Sequence, residues 1–254
     1  MLTETLISAE DVSLTLSRRE STHEILSGVS FSVAPGESLA VAGPSGSGKS
    51  VLLRVLAGLW PPTSGVVRFE GQPLYPVATS RRRSLARSLG IAFQKGGLID
   101  ALTVFENLAL PLREVTEASE REVGARVGAA LEAVGLKGTD ALRPEELSGG
   151  MQKRLGVARA FLMADKLVIL DDPTAGLDPV TAVAILDLVA KLKQEKGLAM
   201  LLVGSQPEEV LPLCDRIVFL EQGRVTAEGT VAEVTAKATG TARKFFQRSS
   251  EADT

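Results

Sequence analysis

A glycine-rich loop between an apolar strand and a helical segment carries the clearest chemistry in the sequence. Its residues fit the pattern G-x-x-x-x-G-K-[ST]. Glycines let backbone N–H groups close around phosphate oxygens, and the N-terminus of the following helix adds positive potential. In this pattern the lysine reaches the β- and γ-phosphates, and the last hydroxyl ligates Mg²⁺. The sequence therefore predicts a site for a nucleotide with Mg²⁺, formed by Gly43, Pro44, Ser45, Gly46, Ser47, Gly48, Lys49 and Ser50.

Two carboxylates follow a second apolar strand. Residues 167–170 are Leu-Val-Ile-Leu, and Asp171 and Asp172 come directly after them. In phosphoryl-transfer sites an acid at this place holds Mg²⁺, and a neighbouring acid orients the attacking water. Strands often end in aspartate at a turn, so the pair alone is a weak signal. Combined with the phosphate loop, it predicts Asp171 as a metal ligand and Asp172 as a catalytic residue.

A third motif, Leu147-Ser-Gly-Gly-Met-Gln152, opens a predicted helix. Ser148 is a residue type that caps helix N-termini, and a cap alone would explain it. The alternative is a second anion site, made of the Ser148 hydroxyl, the amides of Gly149 and Gly150, and the helix dipole. Because one nucleotide in one chain does not need two γ-phosphate sites, this alternative indicates a site shared between two chains.

The elements that must position these residues alternate between strands and helices. Alternation of this kind predicts an α/β sheet, here with an antiparallel start. We predict one domain over residues 1–240, with a helix-rich insertion at about 95–158 and a mobile tail at 241–254. The predicted strands are 6–16, 28–33, 38–42, 65–70, 89–93, 167–170, 198–203, 217–220 and 223–226, and the predicted helices are 49–59, 102–112, 120–134, 152–163 and 180–193.

Composition restricts the function classes. Lys plus Arg is 28 and Asp plus Glu is 31, so the net charge is 28 − 31 = −3, which argues against a nucleic-acid partner. The one cysteine, Cys214, cannot form an intrachain disulfide. No apolar stretch approaches the roughly 18 residues that span a bilayer, and no signal peptide is recognised. We therefore expect a soluble cytosolic protein that acts at a membrane only through a partner.

Two of the motifs together resemble those of a known family. The serine of the Leu147–Gln152 motif precedes the first carboxylate by 171 − 148 = 23 residues. This combination resembles the nucleotide-binding subunits of ATP-binding-cassette (ABC) transporters, and the resemblance runs from about Leu6 to Val234. It implies the P-loop NTPase ABC ATPase fold, in which a RecA-like α/β core carries an antiparallel β-subdomain and an inserted α-helical subdomain.

The resemblance also implies roles and partners. Gln94 is similar to the Q-loop glutamine, which touches Mg²⁺ and the attacking water and couples to the membrane subunit. Ala175-Gly-Leu-Asp178 looks like the D-loop, which communicates across a dimer. ATP would lie between Lys49 of one protomer and Ser148 of the other. The implied partners are a second ABC ATPase protomer, the same chain or a different competent ATPase, and an integral membrane permease.

Further segments resemble a subgroup of these ATPases. The Mla-type, MCE-associated phospholipid-transport ATPases are similar in having a methionine after the two glycines of the Leu147–Gln152 motif, here called the signature motif. In this sequence that methionine is Met151. This likeness implies lipid transport between inner and outer membranes, a place at the cytoplasmic face of the inner membrane, and an MCE-domain lipid-binding protein as a further partner. It covers residues 93–108, 110–114, 131–136, 144–151 and 178–181.

The sequence departs from the family pattern at three places. Asp172 stands where the family has the catalytic glutamate. The aspartate side chain is shorter, so its carboxylate lies roughly 1.5 Å further from the reacting atoms, and a misplacement of about 1 Å can lower the rate on the order of 100-fold. Ser205 stands where the family has a switch histidine, and the one histidine of the chain is His23. No aromatic residue is available between Leu14 and Leu26 to stack on adenine, so Leu16 or His23 must serve, or nothing does.

These departures leave two functions open. We predict an ATP-hydrolysing subunit of a lipid transporter, with turnover slowed at Asp172 and Ser205. The alternative is a non-transport ABC protein that acts as an ATP-gated dimer clamp with little turnover. An ABC protein of DNA maintenance is disfavoured, because the chain has no coiled-coil insertion, no zinc-type cysteine set and no basic excess.

Overall fold

A computed structural model describes residues 4–18, 21–76, 79–94, 97–204, 206–207 and 211–247 of the chain. The chain forms two compact units. The first unit comprises Met1–Ala78 and Ala199–Thr254, and the second comprises Thr79–Leu198. The predicted insertion at about 95–158 falls within the second unit.

An antiparallel sheet begins the first unit. Its strands are β1 (Ile7–Arg18), β2 (Ser21–Val33), β4 (Ser64–Phe69) and β5 (Gln72–Pro73), in the order β2-β1-β4-β5. The sequence predicted the second strand only from residue 28, yet it begins at Ser21. The reason is irregular pairing, because the register between β1 and β2 shifts at Val12 and again at Leu14, which breaks the alternation of apolar and polar residues.

The strand that leads into the phosphate loop is central in the same unit. β3 (Ser38–Ala42) pairs in parallel with β8 (Ala199–Val203) and with β9 (Arg216–Glu221). Every position of β3 and β8 is buried, which explains their near-continuous apolar sequences. β9 continues into β10 (Arg224–Thr230) as an antiparallel pair. Helix α1 (Lys49–Leu56) follows the loop after β3 and ends earlier than the predicted residue 59.

Two short helices close the described chain, α7 (Val231–Lys237) and α8 (Gly240–Gln247). The sequence predicts a mobile tail over 241–254, and α8 covers its residues 241–247, whose mobility stays a prediction. Phe245 and Phe246 place their ring centroids 5.4 and 5.6 Å from that of Phe219 on β9. Burial of this aromatic cluster holds the helix on the unit. Residues 248–254 lie outside the described part of the chain.

Replacing Phe246 with alanine is expected to lower the free energy of unfolding by about 1–3 kcal/mol, because the change removes the contact with Phe219. The loss is smaller than for a fully buried phenylalanine, since the ring of Phe246 is only half-buried. Urea denaturation of the full chain measures this. Lys244→Ala, an exposed change on the same helix, is the matched control and should leave stability unchanged. Equal stability of the two variants would mean that the contact of Phe246 with Phe219 contributes nothing to the fold.

The second unit joins a parallel strand pair to a set of helices. β6 (Leu89–Ala92) pairs with β7 (Leu167–Asp171). A side chain on Gly90 would bring its Cβ to 1.8 Å from the backbone oxygen of Ala160, so this glycine lets β6 lie directly against α5. The helices are α2 (Thr79–Ser88), α3 (Val104–Val115), α4 (Glu120–Ala133), α5 (Gly149–Met163) and α6 (Pro179–Lys196).

Candidate functional site

The predicted phosphate loop forms a tight turn in the first unit. Gly43, Gly46 and Gly48 have φ values of 147°, 79° and 103°, which side chains rarely allow. A Cβ on Gly43 would also lie 2.0 Å from the carbonyl oxygen of Leu220. The ammonium of Lys49 donates to the carbonyl oxygens of Gly43 and Pro44, at 2.7 and 2.8 Å. The loop therefore needs its glycines, and Lys49 folds back over it.

Two features of this loop fit a phosphate group. No side chain caps the N-terminus of α1, within the stretch that the structure describes, so the first turn leaves backbone donors for an anion. The Ser47 hydroxyl is buried, with the residue 4% exposed, and has no hydrogen-bond partner among the described residues. A buried polar group without a partner is costly, and a ligand oxygen would satisfy it.

The two carboxylates lie at the end of β7 in the second unit. Asp171, the last residue of β7, is 4% exposed, Asp172 directly after it is 9% exposed, and the other residues of the strand are buried. Asp172 has a φ of 49°, a left-handed conformation that aspartate tolerates better than most residues. The backbone N–H of Ala175 donates to the Asp172 carbonyl oxygen at 3.2 Å, which starts the turn toward α6.

A cation that sequence reasoning missed joins Gln94 to this strand end. The ammonium of Lys153 donates to the backbone carbonyl oxygen of Gln94 and, at 3.4 Å, to that of Asp172. Burial lowers the pKa of Lys153, and the nearby carboxylates of Asp172 and Asp171 act in the opposite direction. The structure thus brings Gln94 and Asp172, both predicted as catalytic, to one side chain of α5.

A second cation of α5 contacts the same loop. The guanidinium of Arg159 donates to the backbone carbonyl oxygen of Gly97 at 2.8 Å, and burial lowers the pKa of Arg159. The only sequence signal for either cation was a basic residue inside a helix with many buried apolar positions. Nothing in the sequence identified the loop carbonyls as their partners.

The signature motif and the D-loop meet within the second unit. Ser148 caps α5 and accepts from the backbone N–H of Met151 at 3.3 Å, as a simple capping role requires. Asp178 caps α6 and accepts from the backbone N–H of Thr181 at 3.0 Å. Hydrogen bonding to Thr181 lowers the pKa of Asp178. A Cβ on Gly150 would lie 2.9 Å from the Thr181 methyl carbon, so the glycine permits a close approach. The anion-binding roles of Ser148, Gly149 and Gly150 stay predictions, as does the assignment of Asp178 to the nucleotide-binding residues.

The remaining predicted residues are placed only in part. Ser205 lies outside the described residues. Leu16 and His23 are directly opposite each other in the β1–β2 pair, and Leu16 is 40% exposed. One end of this sheet therefore presents both candidates for adenine contact together, although that role stays a prediction.

Metal binding was assigned to Ser50, Gln94 and Asp171. Within the described ranges, no cluster of three or more His, Cys, Asp or Glu residues could hold a metal ion. Mg²⁺ needs no such cluster, because it is usually held by one or two carboxylates together with phosphate oxygens and water. A hydroxyl, an amide oxygen and a carboxylate are each hard oxygen donors of the kind that Mg²⁺ binds, and the metal-binding roles of these residues stay predictions. Separately, none of the helices in the described part of the chain has the length and apolar character needed to cross a membrane.

Comparisons with known proteins agree with this geometry. A family profile described as ABC transporter matches residues 26–175. The methionine import ATP-binding protein MetN of Caulobacter vibrioides is 40% identical over 249 residues, which cover 98% of this chain and 74% of that protein. The chain spans only 60% of the length of the MetN of Cupriavidus metallidurans.

Two further matches are a lipid-transport protein and a solved structure. The intermembrane phospholipid transport system ATP-binding protein MlaF of Escherichia coli is 34% identical over 95% of this chain and 88% of that protein. The ATP-binding cassette MJ0796, solved as a dimer in a post-hydrolysis state with ADP and Pi, has a TM-score of 0.81 and 29% identity. That match covers 89% of this chain and 98% of MJ0796.

Proposed function

This chain belongs to the ABC transporter family as an ATP-binding ATPase subunit, and we propose that it drives phospholipid transport through a membrane permease from the cytoplasmic face. The observation that carries the ATP-binding part of the proposal is the strand–loop–helix of residues 38–56, in which Lys49 folds over the carbonyl oxygens of Gly43 and Pro44. Two protomers would each contribute half of two ATP sites.

Binding is the first task of this site. The β- and γ-phosphates of ATP would take the place of the loop carbonyls as partners of Lys49, because an ammonium binds anionic oxygen more strongly than a neutral carbonyl. The Ser47 hydroxyl and the N-terminus of α1 add donors from the same loop. Ser148 of the second protomer would face the γ-phosphate and close the site.

Hydrolysis would depend on a further set of predicted residues. Ser50, Gln94 and Asp171 would hold Mg²⁺, which supplies neutralisation of the phosphate charge when bound. Asp172 would orient the attacking water and accept its proton, and Gln94 would position the same water. The shorter Asp172 side chain and Ser205 in place of a histidine make us expect slow turnover.

The transported substrate has two candidates. Phospholipid is supported by the segments that resemble Mla-type ATPases and by the match to MlaF. Methionine is the second candidate, because the MetN protein has the higher identity, at 40%. The MCE-domain partner belongs only to the lipid candidate, and no comparison supports it.

A contact for the permease is available near Gln94. Ile99 is 43% exposed, and the buried amide of Asn107 both accepts from the backbone N–H of Ile99 at 2.8 Å and donates to its carbonyl oxygen at 3.1 Å. The Asn107 amide fixes the backbone at Ile99, so this exposed apolar side chain is available for contact with another protein. We therefore propose the segment around Ile99 as part of the permease surface.

The test is purification of the chain with its permease and reconstitution into phospholipid vesicles. We expect copurification, ATP turnover above that of the chain alone, and movement of labelled phospholipid that depends on ATP. Uptake of labelled methionine without lipid movement would instead establish the second candidate. A chain that binds ATP but copurifies with no membrane subunit would support the alternative of an ATP-gated clamp.

A further inference from the structure

Two cationic side chains of helix α5 bind the backbone carbonyl oxygens of Gln94 and Gly97. Lys153, in its second turn, donates to the Gln94 carbonyl oxygen, and Arg159 donates to the Gly97 carbonyl oxygen at 2.8 Å. The two acceptors lie three residues apart along the chain. Both donors come from the helix that the signature residue Ser148 caps.

Lys153 also contacts a second backbone segment. Its ammonium also reaches the carbonyl oxygen of Asp172 at 3.4 Å, so one side chain links the Q-loop to the strand end that carries both carboxylates. Hydrogen bonds from a charged donor are roughly twice as strong as neutral ones. A half-buried ammonium between these segments also offsets the negative charge of Asp171 and Asp172.

We propose that Lys153 is a positioning residue for ATP hydrolysis, which fixes the backbone of Gln94 against that of Asp172 while Arg159 anchors the loop at Gly97. This inference rests on the proposed ATPase function. Under this proposal, α5 connects Gln94 to the end of β7 within one chain. Movement of α5 on closure of a dimer would therefore carry the Gln94 backbone with it.

The proposal predicts which kinetic constant changes. Lys153 contacts backbone carbonyl oxygens and lies outside the phosphate loop, so its loss should displace Gln94 while Lys49 and the rest of that loop stay in place. A misplacement of about 1 Å can lower a rate by up to about 100-fold. We therefore expect Lys153→Met to lower kcat about tenfold with KM changed by less than about threefold.

The experiment measures steady-state ATP hydrolysis by the full chain bound to its permease. Lys153→Arg keeps a charged donor and should retain more than half of the wild-type kcat. Lys191→Met removes an exposed lysine from α6 of the same unit and should leave both constants unchanged. A Lys153→Met enzyme with the wild-type kcat, or an arginine variant as slow as the methionine variant, would overturn the proposal.

Hydrogen exchange of the isolated full chain tests the contact without any activity. Peptides that cover residues 91–99 should exchange faster in Lys153→Met than in the wild type or in Lys153→Arg. Unchanged exchange would contradict the contact, even in an active enzyme. If the wild-type chain hydrolyses no ATP, the proposed function fails, while this readout still decides whether Lys153 holds the loop. If Lys153→Met does not fold, Lys153→Gln replaces it in both measurements.

Discussion

Replacing Lys49 with alanine is expected to lower ATP turnover by about 10²–10³-fold, the usual effect of removing one oriented charge from a transition state. Lys49 is the one side chain of the phosphate loop that carries a full positive charge, and the loop holds it 2.7 Å from the Gly43 carbonyl oxygen. No other cation of residues 43–50 could take over, since the remaining members are glycine, serine and proline. Turnover of the full chain with its permease, measured as phosphate release, gives the result.

The matched control removes a different cation from the same helix. Arg54 lies in the last turn of α1, with its guanidinium carbon 5.1 Å from the Trp60 ring centroid, away from the loop. Arg54→Ala should keep turnover within about twofold of the wild type, because it removes no group from the transition state. If Lys49→Ala is as active as Arg54→Ala, phosphate is not bound by this loop, and the proposed function is wrong.

Replacing Asp172 with glutamate is expected to raise kcat by about 10–100-fold, because one extra methylene advances the carboxylate toward the attacking water. The same change should lower stability by about 1 kcal/mol, since Asp172 has a φ of 49° and glutamate tolerates that backbone less well. Higher turnover with a slightly lower melting temperature is therefore the expected combination.

Two further variants test the charge at position 172 and the side chain at position 205. Asp172→Asn keeps the size and the tolerance of a left-handed backbone but has no charge, so its turnover should fall below that of the wild type. Ser205→His should add to the gain of Asp172→Glu in the double variant. A wild type that already turns over quickly, with no gain from either change, would mean that Asp172 and Ser205 suffice and that our expectation of a weakened site is wrong.

The parts of the site that the sequence predicted are local in the chain. The phosphate loop follows from eight consecutive residues, because the glycine spacing and the flanking strand and helix specify one backbone path. β7 and its two carboxylates were predicted for the same reason, since a fully buried parallel strand is a short apolar run. The α/β class was likewise predicted from alternating elements, and the structure confirms it.

The parts that sequence reasoning missed depend on contacts between distant residues. Lys153 and Gln94 are 59 positions apart, and no local pattern pairs a helix cation with a loop carbonyl. The contact of Phe245 and Phe246 with Phe219 is of the same kind, because the ring that they meet lies on β9, more than 20 residues earlier in the chain. β2 was predicted too short because its register shifts remove the alternation on which the prediction depended.

The most direct test of this account mixes two inactive variants, Lys49→Ala and Ser148→Arg. If each ATP lies between Lys49 of one protomer and Ser148 of the other, a mixed dimer has one site with both changes and one site with neither. We expect each variant alone to be inactive, and an equal mixture to recover about a quarter of the wild-type turnover, because half of the dimers are mixed and each has one intact site. A mixture that stays inactive, although two affinity tags show that mixed dimers form, would contradict the shared site.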